Sequence, residues 1–324
     1  MRKTSLLSIS PDAMKIKGKK ILVTGGSGFI GSNLVNKLEK LGADVFNYDI
    51  SKNYDILDKI GLSSVVSRKF DIIFHLAGLS GSVTESKQNE LYFSVNTLGT
   101  LYLCDSIIKY SPTSKLVISS SRLEYGIPEY LPIDENHPTL PTSIYGLSKL
   151  TATQLARLYA KTHKLDTIIF RTSNVYGPHS KKTFDGYNIV NYFIDQAQKG
   201  QSLTIFGTGN QKRDYIYIDD FINALLLAAT SKKSNQVYNL GFGQGIKLKD
   251  MAKMIIKTVG KGKIVYKQWP KNYKQVETGS YISDISKIQK ELGFKPKTDF
   301  ETGIKKTLKS EITRPAKPWR SGGN

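Results

Sequence analysis

The stretch Lys20-Ile21-Leu22-Val23-Thr24-Gly25-Gly26-Ser27-Gly28-Phe29-Ile30-Gly31 constrains the fold more than any other part of the chain. Ile21 to Val23 is a short aliphatic run of the kind that forms a buried parallel strand. Glycines follow at once, and Phe29 to Leu41 then carries Ile30, Leu34, Val35, Leu38 and Leu41 at helical spacing. Strand, glycine turn and helix, in that order, make a unit that can cradle phosphates. Gly25 permits the tight turn, Gly28 lets backbone approach a pyrophosphate, and Gly31 lets the helix pack close to the strand. The helix start then offers free N–H groups and the positive end of its dipole. Ser27, Phe29 and Ile30 lie in the same turn and join the three glycines as candidate contacts.

An acid at the right distance strengthens this reading. Ala43 to Tyr48 reads as a second strand and ends on Asp49, where the hydroxyls of an adenosine ribose are gripped in such units. A carboxylate there repels a 2′-phosphate, so NAD is expected rather than NADP. After Asp49 the chain is brief. Tyr54-Asp55-Ile56-Leu57 arrives within a few residues, which leaves no room for the helix and extra strand of a full doubly wound sheet.

The rest of the first half keeps alternating. A helix is expected over 56–69, a strand over 71–76 running into Ala77-Gly78, one long helix over 90–110, a strand over 115–119, a helix over 143–163 and a strand over 166–170. The loop 125–142 carries four prolines and is expected to be exposed. Such alternation specifies a parallel sheet with helices on both faces. Beyond about residue 172 the pattern loosens into helices near 188–199, 219–230, 248–259 and 283–292, with short strands near 203–206, 215–218 and 264–266. A strand at 237–240 is expected to return to the main sheet. The expected fold is therefore α/β: a Rossmann-type doubly wound parallel sheet, shortened after its second strand, with a smaller α+β lobe over its carboxyl ends. The expected boundaries are a flexible extension at 1–18, a nucleotide-binding domain at 19–172, a second lobe mainly at 173–309 and a disordered tail at 310–324.

Composition closes off other classes. A single cysteine, Cys104, rules out an internal disulfide and any Cys-based zinc cluster, and no metal is expected. No apolar run is long enough to span a membrane, and a cytoplasmic setting is expected. The 47 basic and 27 acidic residues give a net charge of +20, a field that favours anionic ligands. The lysines are scattered and form no recognition motif, so a nucleic-acid partner is disfavoured against an anionic small molecule.

A second constellation is Tyr145-Gly-Leu-Ser-Lys149. Residues four apart share a helix face. An ammonium beside a phenol favours the phenolate and moves its pKa, ordinarily about 10, toward the working range. An oxidised nicotinamide would add further positive charge. The strand before it ends in Ser119-Ser120-Ser121, which places a hydroxyl near the pair and suggests a hydride-transfer site.

Six segments stand in order: Thr24-Gly-Gly-Ser-Gly-Phe-Ile-Gly31, His75-Leu-Ala-Gly78, Ser119-Ser-Ser-Arg-Leu-Glu-Tyr-Gly126, Tyr145-Gly-Leu-Ser-Lys149, Arg171-Thr-Ser-Asn-Val-Tyr-Gly-Pro178 and Arg213-Asp-Tyr-Ile-Tyr-Ile-Asp-Asp220. On these the chain resembles the extended short-chain dehydrogenase/reductase family, in particular nucleotide-sugar epimerases of the UDP-glucose 4-epimerase type, over roughly residues 19 to 309. The resemblance implies bound NAD, a nucleoside-diphosphate sugar and a homodimer. It implies that Ser121, Tyr145 and Lys149 are catalytic, and that Asp49, Asp55, Ile56, Leu76, Ala77, Gly78 and Asn96 join the glycine turn around the cofactor. It further implies that Ser121, Arg122, Tyr145, Asn174 and Arg213 meet the substrate, the arginine at 213 on the diphosphate. For Arg213 the alternative is an ion pair with Asp214 or Asp219. His75 reads as filler at a strand end. Two departures stand out. Arg122 and Leu123 replace the Asp-Glu pair of the 4,6-dehydratase branch, and the family's second diphosphate arginine is missing, with only Lys271 and Lys274 nearby. A keto-sugar reductase is the alternative enzyme reading, and a non-catalytic nucleotide- or RNA-binding relative the rival from another class.

Overall fold

The computed structural model of the chain describes residues 15–81, 86–178 and 188–312. Its first half alternates β1 (Lys20–Thr24), α1 (Phe29–Lys40), β2 (Asp44–Tyr48), α2 (Lys59–Val66), β3 (Ile72–His75), α3 (Ser86–Tyr92), α4 (Gly99–Tyr110), β4 (Lys115–Ser119), α5 (Ile144–His163) and β5 (Thr167–Thr172). There follow β6 (Asn174–Tyr176), α6 (Ile189–Gln198), β7 (Ser202–Phe206), β8 (Lys212–Tyr217), α7 (Ile218–Thr230), β9 (Gln236–Leu240), β10 (Gly245–Lys247), α8 (Leu248–Val259), β11 (Lys263–Lys267), α9 (Lys271–Val276), α10 (Ser286–Leu292) and α11 (Phe300–Ile312).

Strands whose side chains are apolar on both faces need cover on both faces. Here they form one six-stranded parallel sheet in the order β2-β1-β3-β4-β5-β9. Alternate residues feed two cores. Ile21, Val23, Phe74, Val117 and Ile168 pack with Leu34 and Leu38 of α1 and Phe221 and Leu225 of α7. Leu22, Ile73, Leu116, Ile118 and Ile169 pack with α2, α4 and α5 through Leu62, Val65, Leu103, Ile107 and Ala156. Residues 237–240 do return, since β9 runs parallel beside β5 with Phe170 opposite Tyr238. Two small sheets, β10-β8-β6 and β11-β7, belong to the second half.

The shortening after β2 is real. Between Asp49 and Asp55 there is only one 3₁₀ turn, Ile50–Lys52, so β2 is the sheet's edge. Tyr54 folds back on the rings of Tyr48 and Phe46, at 5.0 and 5.3 Å, and Tyr48 donates its hydroxyl to the Asp55 carbonyl at 2.7 Å.

Four expectations need correction. The long helix begins earlier, at Ser86, and is interrupted by a π-helical turn, Phe93–Leu98. The proline-rich loop 125–142 is only partly exposed, because Tyr125, Ile133 and His137 are buried and Ile133 exchanges backbone hydrogen bonds with Ile282 and Asp284. Residues 15–18 are no extension: Ile16 is buried in the main core and Gly18 donates to the Gly42 carbonyl. At the other end α11 carries regular helix through Ile312. The rest of the expected extension and tail, 1–14 and 313–324, lies outside the described residues.

Candidate active site

The glycine turn has the steric signature of a close approach. Gly25 has φ +71°, and a Cβ there would stand 2.6 Å from the Ala77 nitrogen. At Gly31 a Cβ would meet the Gly25 carbonyl oxygen at 2.1 Å, so α1 packs onto the turn itself. Gly28 is different: its Cβ would touch only Gly25 O, at 3.3 Å, and both Ser27 and Gly28 are exposed. The side of the turn that faces out is open, and no side chain caps the start of α1. Phe29 and Ile30 start that helix half-buried. Asp49 is held at the rim, one oxygen accepting from Ser27 N at 2.9 Å and the other from Ser51 N and Oγ at 2.9 and 2.7 Å. These hydrogen bonds hold its carboxyl below the usual range despite partial burial. Asp55 is exposed a few residues on, and Ile56 is buried beneath it. A cradle closed to a Cβ at two glycines and open at the third fits a dinucleotide diphosphate.

The strand exit Leu76-Ala77-Gly78 runs beside this turn. Asn96, buried in the π turn, braces it: Oδ1 accepts from Leu79 N at 2.9 Å, and Nδ2 donates to Leu79 O and Ser148 Oγ, both at 3.0 Å. With all these partners made, Asn96 supports the exit loop from behind. Its amide is thereby taken up by protein partners, and so is the His75 ring. Thr100 gives its hydroxyl hydrogen to Asn96 O, so it accepts from His75 Nε2 at 3.0 Å, and Nδ1 accepts from Thr24 Oγ1 at 2.8 Å. Burial keeps the ring neutral, its pKa pushed down to about 3.

At the carboxyl end of β4 and the start of α5, Ser121, Tyr145 and Lys149 come together. Ser121 caps the 3₁₀ turn Arg122–Glu124, accepting from Leu123 N at 3.2 Å, and its hydroxyl stands beside that of Tyr145. Ser143 caps α5 and accepts from Gly146 N at 3.1 Å, which fixes the start of the helix that carries both reactive side chains. Lys149 Nζ donates to Ser119 O at 2.8 Å and stands near Gly78. The expected lowering of the phenol by the lysine is not what this geometry gives. Burial pushes Tyr145 up to about 12, the Ser121 hydroxyl and Arg122 pulling against it, while burial pushes the Lys149 ammonium down to about 8. Desolvation outweighs the neighbouring charge.

Under this trio lies a buried pair that the sequence reading passed over. Glu124 accepts from Ser120 Oγ, from Thr153 Oγ1 at 2.6 Å and from Arg171 Nε at 2.8 Å. Arg171 reaches on to Tyr125 OH at 3.1 Å and Glu135 O at 3.2 Å, and Tyr125 donates to Asn239 Oδ1 at 2.6 Å. The pair thus ties the serine strand end, α5, β5, β9 and the proline-rich loop into one network. Glu124 inside the serine segment and Arg171 at the head of a later one were its sequence signals, with nothing local to join them.

The second half supplies the facing wall. Asn174, on β6, donates to the Asp214 carbonyl of β8 at 3.0 Å. Arg213 is ion-paired with Glu277, not with Asp214 or Asp219, and also donates to Gly279 O and Lys212 O. Asp214 is occupied elsewhere, accepting from the backbone of Phe242, Gly243 and Ser283. Arg122 reaches across to this wall, donating to Thr278 Oγ1 at 3.2 Å with its guanidinium 5.2 Å from the Tyr281 ring centre. Lys271 and Lys274 sit exposed on α9. Among the described residues no group of His, Cys, Asp and Glu could hold a metal, and no helix is long and apolar enough to cross a membrane.

A model of the NAD dependent epimerase/dehydratase family matches residues 21–241, from the first strand to just past β9. The chain belongs to that family. Over 304 residues it is 34% identical to a Methanocaldococcus jannaschii protein provisionally named UDP-glucose 4-epimerase, covering 89% of this chain and 97% of the relative. A Thermotoga maritima UDP-glucose 4-epimerase with UDP-glucose superposes with TM-score 0.83 at 30% identity, over 90% of this chain and 98% of that one. A Thermus thermophilus UDP-glucose 4-epimerase in complex with NAD does so with TM-score 0.81 at 27% identity, over 91% and 99%. The family also includes relatives named dTDP-glucose 4,6-dehydratase. As a member of this family the chain is an enzyme that uses NAD, and the open glycine cradle, with Asp49 at its rim, is where its residues fit that cofactor.

Proposed function

We propose that this epimerase/dehydratase family member inverts one carbon of a nucleoside-diphosphate sugar, through a transient keto-sugar and with no net redox change. The observation that carries the reading is the trio Ser121, Tyr145 and Lys149 followed by Arg122 and Leu123, where a dehydratase needs an acid and a base to eliminate water. When bound, NAD supplies a reversible store for a hydride. The chain's own residues handle binding and protons. Tyr145 takes the proton of the sugar hydroxyl, with the Ser121 hydroxyl sharing it. Arg122 opposes the phenolate charge, which matters because burial, with the Glu124 carboxylate, pushes the phenol up to about 12. Gly25, Gly28 and Gly31 receive the cofactor diphosphate, Asp49 its ribose, and Leu76 to Gly78 lie along it. Asn174 and Arg213 hold the sugar nucleotide, the guanidinium at 213 exchanging Glu277 for phosphate oxygens.

The test is to incubate the protein with UDP- and dTDP-sugars and follow the sugars by NMR. Inversion at one carbon without added NADH is expected. Loss of water would reassign the chain to the dehydratases, and product only with stoichiometric NADH oxidation would reassign it to keto-sugar reductases. A homodimer is the proposed assembly, read by light scattering.

A further inference from the structure

Arg122 occupies an unusual position for a cation. It directly follows Ser121, in the turn beside the Tyr145 hydroxyl, yet among the described residues it has no ion-pair partner. Its polar contact is neutral, Thr278 Oγ1 at 3.2 Å, and its guanidinium stands 5.2 Å from the centre of the Tyr281 ring. The carboxylate closest in charge, Glu277, is taken up by Arg213 and also accepts from Gly279 N at 2.9 Å. Arg213 therefore takes this carboxylate, and the charge of Arg122 is left over beside it. Tyr215 lies two residues beyond Arg213 on β8, so the two side chains leave the same face of the strand. It is 3% exposed, its hydroxyl has no hydrogen-bond partner, and it lies within electrostatic reach of both arginines. A half-buried guanidinium and an orphaned phenol are each costly without a ligand that answers them. Burial and the repulsion of Arg213 lower the Arg122 pKa to about 10, which is the cost of that unanswered charge.

Resting on the nucleotide-sugar reading above, we infer that the sugar carries a carboxylate, which Arg122 pairs with and the Tyr215 hydroxyl hydrogen-bonds. The diphosphate is the other anion in such a ligand, and the chain has already provided for it with Arg213 farther along β8. Arg122 is instead next to the reacting hydroxyls, where the sugar ring must lie for Tyr145 to reach it.

Calorimetry with UDP, UDP-glucose, UDP-glucuronate and UDP-galacturonate distinguishes the two anions. One charge-assisted contact corresponds to about tenfold or more in affinity, so the uronates should bind at least that much more tightly than UDP-glucose. Arg122→Gln should bring the ratio close to one, and Arg122→Lys should keep part of it. Tyr215→Phe should reduce the ratio less than Arg122→Gln does. A wild-type ratio near one overturns the inference. So does an Arg122→Gln variant that weakens UDP and all three sugars alike, since Arg122 would then be gripping the diphosphate. The readout is binding, so uronate preference without inversion would sink only the epimerase reading. Failure of UDP and every UDP-sugar to bind would remove both.

Discussion

The half of the site that fits the nucleotide cofactor and the half proposed to take the sugar are built in opposite ways. The first is made by one short run of chain, β1 through β2, and largely from backbone: two glycines whose missing Cβ atoms let turn, strand and helix touch, one left open, and an acid at the next strand end. The second is made from side chains that the sequence scatters, Ser121 and Arg122, Tyr145 and Lys149, Asn174, Arg213 and Tyr215, and Glu277 through Tyr281. Binding a common cofactor needs only a shape that backbone can hold. Choosing among sugars needs charges at fixed points, and those come from several elements locked to one another. The Glu124–Arg171 network is such a lock and is built on an ion pair, whereas the buried chain Thr24–His75–Thr100–Asn96 beside the glycine turn is neutral.

The strongest way to break this contrast is at the seam. Tyr145→Phe should lower turnover by about 10²–10⁴-fold with NAD affinity hardly changed, as loss of a general base predicts. Comparable losses in both, measured by NMR turnover and NAD titration, would mean the two halves cannot be separated.

Next comes the lock. Glu124→Ala leaves Arg171 buried and unpaired and should cost about 3–5 kcal/mol of unfolding free energy in a urea titration. A cost under 1 kcal/mol would show that the pair holds nothing together. Arg213→Ala should cost about 1.5–3 kcal/mol of nucleotide-sugar affinity by calorimetry, without altering NAD binding.

The glycine turn offers a finer contrast. Gly31→Ala drives a Cβ into backbone and should cost about 1–3 kcal/mol in stability. Gly28→Ala meets a single backbone oxygen, at 3.3 Å, which has to give by only a few tenths of an ångström, so it should weaken NAD binding while shifting the unfolding curve of the cofactor-free protein much less than Gly31→Ala does. Equal melting shifts in the two variants would deny that Gly28 faces a ligand.

The smallest effect is one of pH. Lys149 has a folded pKa of about 8 against an ordinary 10.5. Between those values the unfolded chain binds the extra proton, so this group adds stability as pH rises from 8 to 10.5, and its cost is constant below 8. Lys149→Met should therefore be more stable than the wild type at pH 7, with the gap closing toward pH 10.5. A gap that stays constant over that range would show the ammonium to be well solvated.

How much of this was legible follows the same division. The strand, turn and helix of the first unit and the missing segment after Asp49 could be read directly, because local spacing decides both. Tyr145 and Lys149 were legible as a pair at helical spacing, but not their pKa values, which depend on burial by parts of the chain far away. Glu277 as the partner of Arg213 could not be read at all, since a strand in β8 and a turn after α9 meet only in the fold. The burial of Tyr125, Ile133 and His137 was hidden for a similar reason: prolines signal a loop but not what the loop lies against. The three-residue strands β6 and β10 are too short to show a period.

The π turn at Phe93–Leu98 has a further consequence for the phasing of the helices on either side. Such a turn amounts to one inserted residue, and each residue of an α-helix advances the side chains by about 100°. Before it, Tyr92 meets the edge of the Tyr145 ring at 5.8 Å; after it, Leu103, Cys104 and Ile107 face the core between α2 and the sheet. A single regular helix could not aim both sets correctly at once. The insertion works as a clutch, letting the catalytic side keep its setting while the core side keeps another. Deleting one residue there would turn one set away from its partners, and Asn96, at the clutch itself, would lose its hold on Leu79 although no reacting group had been touched.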